Sequence, residues 1–175
     1  DELDNSVALV TFDETPVSEL VITSEVVVSH YLSERPYLPL DDHVATYPFS
    51  YSPAEANLLA AYFKQSGEDA NIAAWVQGVI GGQTNTQAIL IALTNAIYEN
   101  FRYQLRREEG VQSPATTLSL ASGSCRDYAW LFVAAVRSLG FAARFVSGYF
   151  NTEGTALEDG NTHAWAEVYL PGAGW

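Results

Sequence analysis

The apolar and polar positions divide the chain into two unlike parts. Residues 7–12 and 20–31 are dense in Val, Ile, Thr and Tyr, the side chains that favour strands. A breaker-rich stretch follows, Arg35-Pro36-Tyr37-Leu38-Pro39-Leu40, with Pro48 and Pro53 beyond it. Breakers of this kind mark a boundary, placed here near residues 36–50. The expectation is the end of a β-rich N-terminal domain over residues 1–40 and a second domain over residues 50–175. The alternative is one continuous domain with an N-terminal β-layer.

Helical patterning starts at Ser52-Pro53-Ala54-Glu55. A capping Ser precedes Pro at the first helical position, and Glu stands three residues after the cap. That helix is expected to run to about Lys64. Residues 71–80 and 86–100 predict two more, and Ile89, Leu93, Ala96 and Ile97 recur at helical spacing in the latter. Residues 101–105 read as a short strand and 106–122 as a loop. Ser124-Cys125-Arg126-Asp127 then opens a helix whose apolar stripe is Tyr128, Leu131, Phe132, Ala135, Val136 and Leu139. Gly140 ends it, as a glycine just past a helix does. Residues 143–150 predict a strand and 151–162 an acidic loop. Residues 163–170 alternate: Ala164, Ala166, Val168 and Leu170 on one face, His163, Trp165, Glu167 and Tyr169 on the other.

Composition narrows what such a chain can do. Its 175 residues are 48% hydrophobic and 17% charged, enough for a proper core. No run of about 18 apolar residues exists, so no transmembrane helix is expected. The formal charge is −13, from 21 acids against 8 bases. A nucleic acid or an anionic membrane surface is therefore a poor partner. The chain's only lysine is Lys64, and no phosphate-binding loop motif is present. A single cysteine excludes an internal disulfide and any multi-cysteine metal site. With no methionine and a start at Asp1-Glu2-Leu3, the chain reads as a piece of a longer protein. A missing signal peptide then says nothing of export; a cytoplasmic location is the working expectation.

The chemistry centres on Cys125. Ser124 and Asp127 have the spacing of a capping box, with Asp in place of Glu. Cys125 is then the first residue inside the helix, where unpaired N–H groups and the helix dipole favour a thiolate. Gly123 would let another chain segment approach the sulfur. A small buried thiol at a helix start is the plainer reading. His163, at the start of a strand whose opposite face is purely aliphatic, is placed for a cleft or for the surface. A metal site of Cys125, His163 and a carboxylate has no ligand spacing behind it. No cofactor and no metal is expected, and no calcium loop motif is present.

Three blocks in order carry a resemblance: Gly123-Ser124-Cys125-Arg126-Asp127-Tyr128, then the run from Arg137 to Tyr149, then His163-Ala164-Trp165-Ala166-Glu167-Val168-Tyr169, with Gly174-Trp175 after them. Over roughly residues 50–175 they resemble the transglutaminase-like superfamily, closest to its bacterial transglutaminase-like cysteine proteases. The resemblance implies an α+β, papain-like core, with a cysteine at a helix N-terminus facing a histidine on an antiparallel sheet. It makes Cys125 the nucleophile and His163 the general base and acid. A peptide or protein is then the substrate, and a thioester the intermediate. Hydrolysis of amides, transamidation by an amine, or a non-catalytic binding module on the same fold all fit these residues. The backbone N–H of Cys125 would serve an oxyanion hole, with Tyr103 or Gln104 as the second donor. Glu153, Glu158 and Asp159 of the acidic loop would disfavour acidic substrates.

The family's third residue is an Asp in a W-x-x-x-D-P arrangement. Trp175 matches the Trp, which puts the Asp about four residues past the end of this chain. Asp127 shares the helix of Cys125 but points to another side, and Glu167 lies too far along the strand from His163. Loss of the orienting residue costs about 10⁴ in rate in other triads. A chain ending at Trp175 is thus expected to be nearly inactive. Comparing its turnover with that of an extended chain checks this, and equal rates would refute it.

Overall fold

The computed structural model describes residues 9–13, 18–23, 39–64, 70–149 and 162–175. The chain divides into two compact units, Asp1–Pro36 and Tyr37–Trp175. In the first, the described residues form no strand, and Leu9, Val10, Phe12, Leu20, Val21 and Ile22 are exposed. Strand propensity is realised only where a backbone partner and a buried face exist, and these residues have neither among those described. The rest of the β-rich expectation lies outside the described residues.

The second unit is built from five helices and two small pairs of strands among the described residues. The helices are α1 (Pro53–Leu58), α2 (Ala70–Ile80), α3 (Thr86–Asn100), α4 (Pro114–Leu120) and α5 (Cys125–Ser138). Strand β1 (Arg102–Tyr103) runs parallel to β2 (Ser122–Gly123), and β3 (Ala143–Tyr149) antiparallel to β4 (Thr162–Val168).

Local sequence explains the helix starts. The Ser52 and Glu55 side chains cap α1 reciprocally, as the motif predicts. This helix ends at Leu58, short of the expected Lys64, and passes into a 3-10 turn over Ala60–Tyr62. There Leu59 is buried, Tyr62 meets the Trp175 ring, and Phe63 meets Tyr51. Helix α4 and the first residue of strand β2 lie within the stretch read as a loop. The signal for α4 resembles that of α1: the Ser113 hydroxyl accepts from the Thr116 N–H, and Pro114 is the first helical residue.

Helix α5 is the centre of this unit and packs on α4, β3 and β4. Its Val133, Ala135 and Val136 join Ile72 and Val76 of α2, Ile89 and Leu93 of α3, and Phe141 in one buried cluster. The stripe read from the sequence is only partly core. Leu131, Ala135, Val136 and Leu139 are buried, whereas Tyr128 and Phe132 are half-buried and turn toward a cavity. Gly140 adopts φ +88, a left-handed conformation open to glycine, and reverses the chain from α5 into β3. The Arg137 guanidinium donates to the Ala143 carbonyl and secures that reversal. The aliphatic face of β4 packs toward the core, as its alternation implies: Ala164 is buried and Ala166 and Val168 rest on the cluster.

Tyr51 ties the segment ahead of the helices to the sheet. Its hydroxyl donates to the Tyr169 carbonyl and accepts from the Ala142 N–H, both at 3.0 Å. Ala142 is fully buried, so Tyr51→Phe strands its N–H without that acceptor. The variant is expected to lose about 1–3 kcal/mol of unfolding free energy, measured by urea titration. A change within error would mean that the tie is dispensable.

Candidate active site

The site is assembled at the N-terminus of α5. Residues 102–103 pair with 122–123, which sets Tyr103 beside Gly123 and two residues from Cys125. Cys125 is the first residue of α5, where backbone N–H groups lack intrahelical acceptors.

The capping residues go beyond their predicted role. Asp127 is fully buried. One carboxylate oxygen accepts from the Ser124 N–H and hydroxyl, each at 2.8 Å. The other accepts from the Gln112 N–H at 2.8 Å and the Arg106 guanidinium at 2.7 Å. Burial alone would raise the Asp127 pKa; the hydrogen bonds from Ser124, Gln112 and Arg106 outweigh it and hold the group at about 2. Arg126 donates to the carbonyls of Arg106 and Glu108, so the 106–112 segment is fastened to α5 twice. Sequence reading found the Ser124–Asp127 pair and missed Arg106 and Gln112. Their positions carry no local signal, because a buried carboxylate's partners are chosen by tertiary proximity.

Gly123 also differs from its expectation. A Cβ there would lie 2.8 Å from the Asp127 Cβ and 3.1 Å from the Gln112 amide nitrogen. The space it leaves holds the Asp127 carboxylate and Gln112, rather than a segment approaching the sulfur.

His163 lies on β4 opposite Gly148 of β3. The structure brings Cys125 and His163 into the lining of one cavity of about 550 Å³, together with Tyr103, Tyr128 and Trp165. Tyr103 has its phenol pKa raised, first by burial and then by the charge of Cys125, so its hydroxyl keeps its proton. Gln104 is outside this lining; its side-chain oxygen accepts from the Ser122 hydroxyl at 3.1 Å. The Trp165 indole lies over Gly148, where a Cβ would come within 2.7 Å of it. Its Nε1 donates to Glu167 at 3.2 Å, and Glu167 pairs with Arg144 at 2.7 Å. Glu167 and Asp127 are thus both committed to other partners. The acidic loop, with Glu153, Glu158 and Asp159, lies outside the described residues. Among the described residues no group of three or more His, Cys, Asp and Glu is placed to hold a metal ion. None of their helices is long and apolar enough to cross a membrane.

Known proteins share this fold. A model of the transglutaminase-like superfamily matches residues 73–175. Uncharacterized proteins of Mycobacterium bovis and Mycobacterium tuberculosis are 34% identical over 88 residues, a match covering 47% of this chain and 28% of theirs. The structure of a proposed cysteine protease from Cytophaga hutchinsonii is similar with a TM-score of 0.57 at 25% identity, over 69% of this chain and 42% of that one. The periplasmic domain of TgpA from Pseudomonas aeruginosa gives 0.55 at 24% identity, over 72% and 46%. The chain therefore spans under half the length of the proteins it resembles. The likenesses bear out the α+β, papain-like expectation. They lend the cytoplasmic expectation no support, since TgpA's matching part is periplasmic.

Asp127 yields a prediction of its own. Its folded pKa of about 2 lies below the ordinary 3.8. The folded carboxyl therefore binds its proton more weakly than the unfolded one. Its stabilisation is complete above about pH 4 and is lost as the pH falls toward 2. Asp127→Asn is expected to cost about 2 kcal/mol at pH 7 and to flatten the acid limb of stability. Urea midpoints at pH 7, 4 and 3 read this; an unchanged acid limb would show that the carboxylate contributes nothing.

Proposed function

Because the chain belongs to the transglutaminase-like superfamily, we propose that it is a cysteine-dependent amide hydrolase that cleaves peptides through a thioester. The observation that carries the reading is the shared cavity, with Cys125 on the first turn of α5 and His163 on β4. The Cytophaga hutchinsonii protein named as a proposed cysteine protease supports it by likeness.

The steps follow from the groups present. The Cys125 thiolate attacks the amide carbonyl, and negative charge develops on the carbonyl oxygen. The N–H at the start of α5 donates to that oxygen, and the Tyr103 hydroxyl, kept protonated beside Cys125, is the second donor. His163, carrying the proton it took from the Cys125 thiol, gives it to the departing amine as the tetrahedral adduct collapses to the thioester. Water, deprotonated by His163, attacks the thioester, releases the acid and restores the thiol. Asp127 acts at a distance from the reacting atoms: its clasp sets where α5 begins and hence where the sulfur stands. An amine in place of water gives transamidation, and loss of turnover altogether gives the binding-module reading.

The test is cleavage of a quenched fluorescent peptide library by the chain extended past Trp175, with and without added primary amine. Acid products that are unchanged by the amine support hydrolysis; amine-linked products support transamidation. Cys125→Ala and His163→Ala are expected to abolish turnover. Tyr103→Phe is expected to lower kcat by about 10²–10³-fold with KM little changed. A full rate in Tyr103→Phe would remove Tyr103 from the oxyanion hole, and turnover by Cys125→Ala would overturn the whole reading.

A further inference from the structure

The cavity beside Cys125 is lined mostly by apolar and aromatic side chains, with His163 and Thr94 among them. Among the described residues that line it there is no Asp, Glu, Lys or Arg. Its walls are Ile97 and Tyr98 of α3, Phe101 just past α3, Tyr128 and Phe132 of α5, and Trp165 of β4. At about 550 Å³ it falls within the range of ~300–1,000 Å³ typical of small-ligand pockets.

The walls are also held in place. Phe101 and Tyr128 meet edge to face at 5.9 Å, and Trp75 backs Phe101 at 6.1 Å. Trp165 is seated on Gly148 and tethered through Glu167 to Arg144. A pocket that is already formed discriminates by fit, because little ordering cost falls on binding. Tyr98 is 85% exposed.

Position selects which part of a substrate enters. For attack, the acyl carbon must come to about 3–3.5 Å from the sulfur. The substrate side chain nearest that sulfur belongs to the residue that donates the carbonyl. We propose that this cavity is the specificity pocket for that residue and takes a large uncharged apolar or aromatic side chain. The inference rests on the thiol-nucleophile reading above and adds the substrate class to it. Burying a Glu or Gln side chain here would strip its polar end of water in a lining without Lys or Arg, whose polar groups are His163, Thr94 and the tyrosine hydroxyls. Leu, Phe and Tyr gain from the same burial.

The test is single-turnover labelling of Cys125 by chloromethyl ketones of acetyl-Phe, acetyl-Leu, acetyl-Gln and acetyl-Glu, each rate divided by that of iodoacetamide. The thiolate displaces chloride, one C–S bond forms, and mass spectrometry reads the adduct. The Phe and Leu reagents are expected to react about tenfold or more faster than the Gln reagent, with Glu slowest. Gln is the control for the acidic net charge, which penalises Glu alone. Tyr98→Arg, a surface change, is expected to narrow the Phe-to-Glu ratio by several-fold. Equal normalised rates for all four reagents would overturn the pocket and leave the nucleophile standing. If iodoacetamide itself fails to label Cys125, the nucleophile reading falls, and the pocket is judged by binding. In that case the Trp165 indole NMR signal of Cys125→Ser is followed with N-acetyl-phenylalaninamide and N-acetyl-glutaminamide. A saturable shift with the first alone upholds the apolar pocket; no shift, or equal shifts, overturns it.

Discussion

A single buried carboxylate governs the arrangement around Cys125. Asp127 sits where a helix start offers unpaired N–H groups, and its charge has no water to answer it. It draws in the Ser124 N–H and hydroxyl, the Gln112 N–H and the Arg106 guanidinium. Each partner is thereby fixed. Ser124 defines the first turn of α5, Gln112 and Arg106 bring the 106–112 segment onto that turn, and Gly123 is left no room for a side chain. A charged hydrogen bond inside protein is strong, and leaving such a charge unpaired is costly. The position of the sulfur is therefore inherited from an electrostatic arrangement that includes no reacting atom.

Helix α5 carries two tasks on two faces. Val133, Ala135 and Val136 anchor it in the core with α2 and α3. Tyr128, Ala129 and Phe132 present its other face to the cavity. A rigid helix with its N-terminus at the edge of a cavity is a suitable carrier for a thiolate, because its dipole and N–H groups are already oriented. The sheet supplies the facing group. The register Gly148 to His163 places the histidine across from a residue with no side chain, and the neighbouring Trp165 fills the vacant space. One glycine thus sets the indole that walls the cavity next to His163.

Much of this was legible along the chain. The capping motifs located α1 and α5, the period of Ile89, Leu93 and Ile97 located α3, and the alternation after His163 assigned the buried face of β4. The order of the Cys125 and His163 blocks pointed to the superfamily. The legible features are local: a cap, a helical stripe and a strand face each depend on residues within a few positions. Helix α4 carried the same Ser-Pro start as α1 and went unread within a stretch of breakers. Helix α1 broke off early, where Leu59 is buried, Tyr62 meets Trp175 and Phe63 meets Tyr51, which no local rule foresees.

By itself the amino-acid sequence determined the kind of molecule. It dictated an acidic globular chain with a cysteine on a capped helix start, a histidine on an alternating strand, and an apolar stripe between them. Tertiary structure decided what those parts do together. It joined Arg106 and Gln112 to Asp127, turned Tyr128 to the cavity, and placed Phe132 between core and cavity. It also chose Tyr103 over Gln104 as the side chain beside Cys125. The physical reason is range. Backbone preferences act over one or two turns of chain, whereas burial of a charge or closure of a cavity depends on residues that only the packed fold brings within a few ångströms.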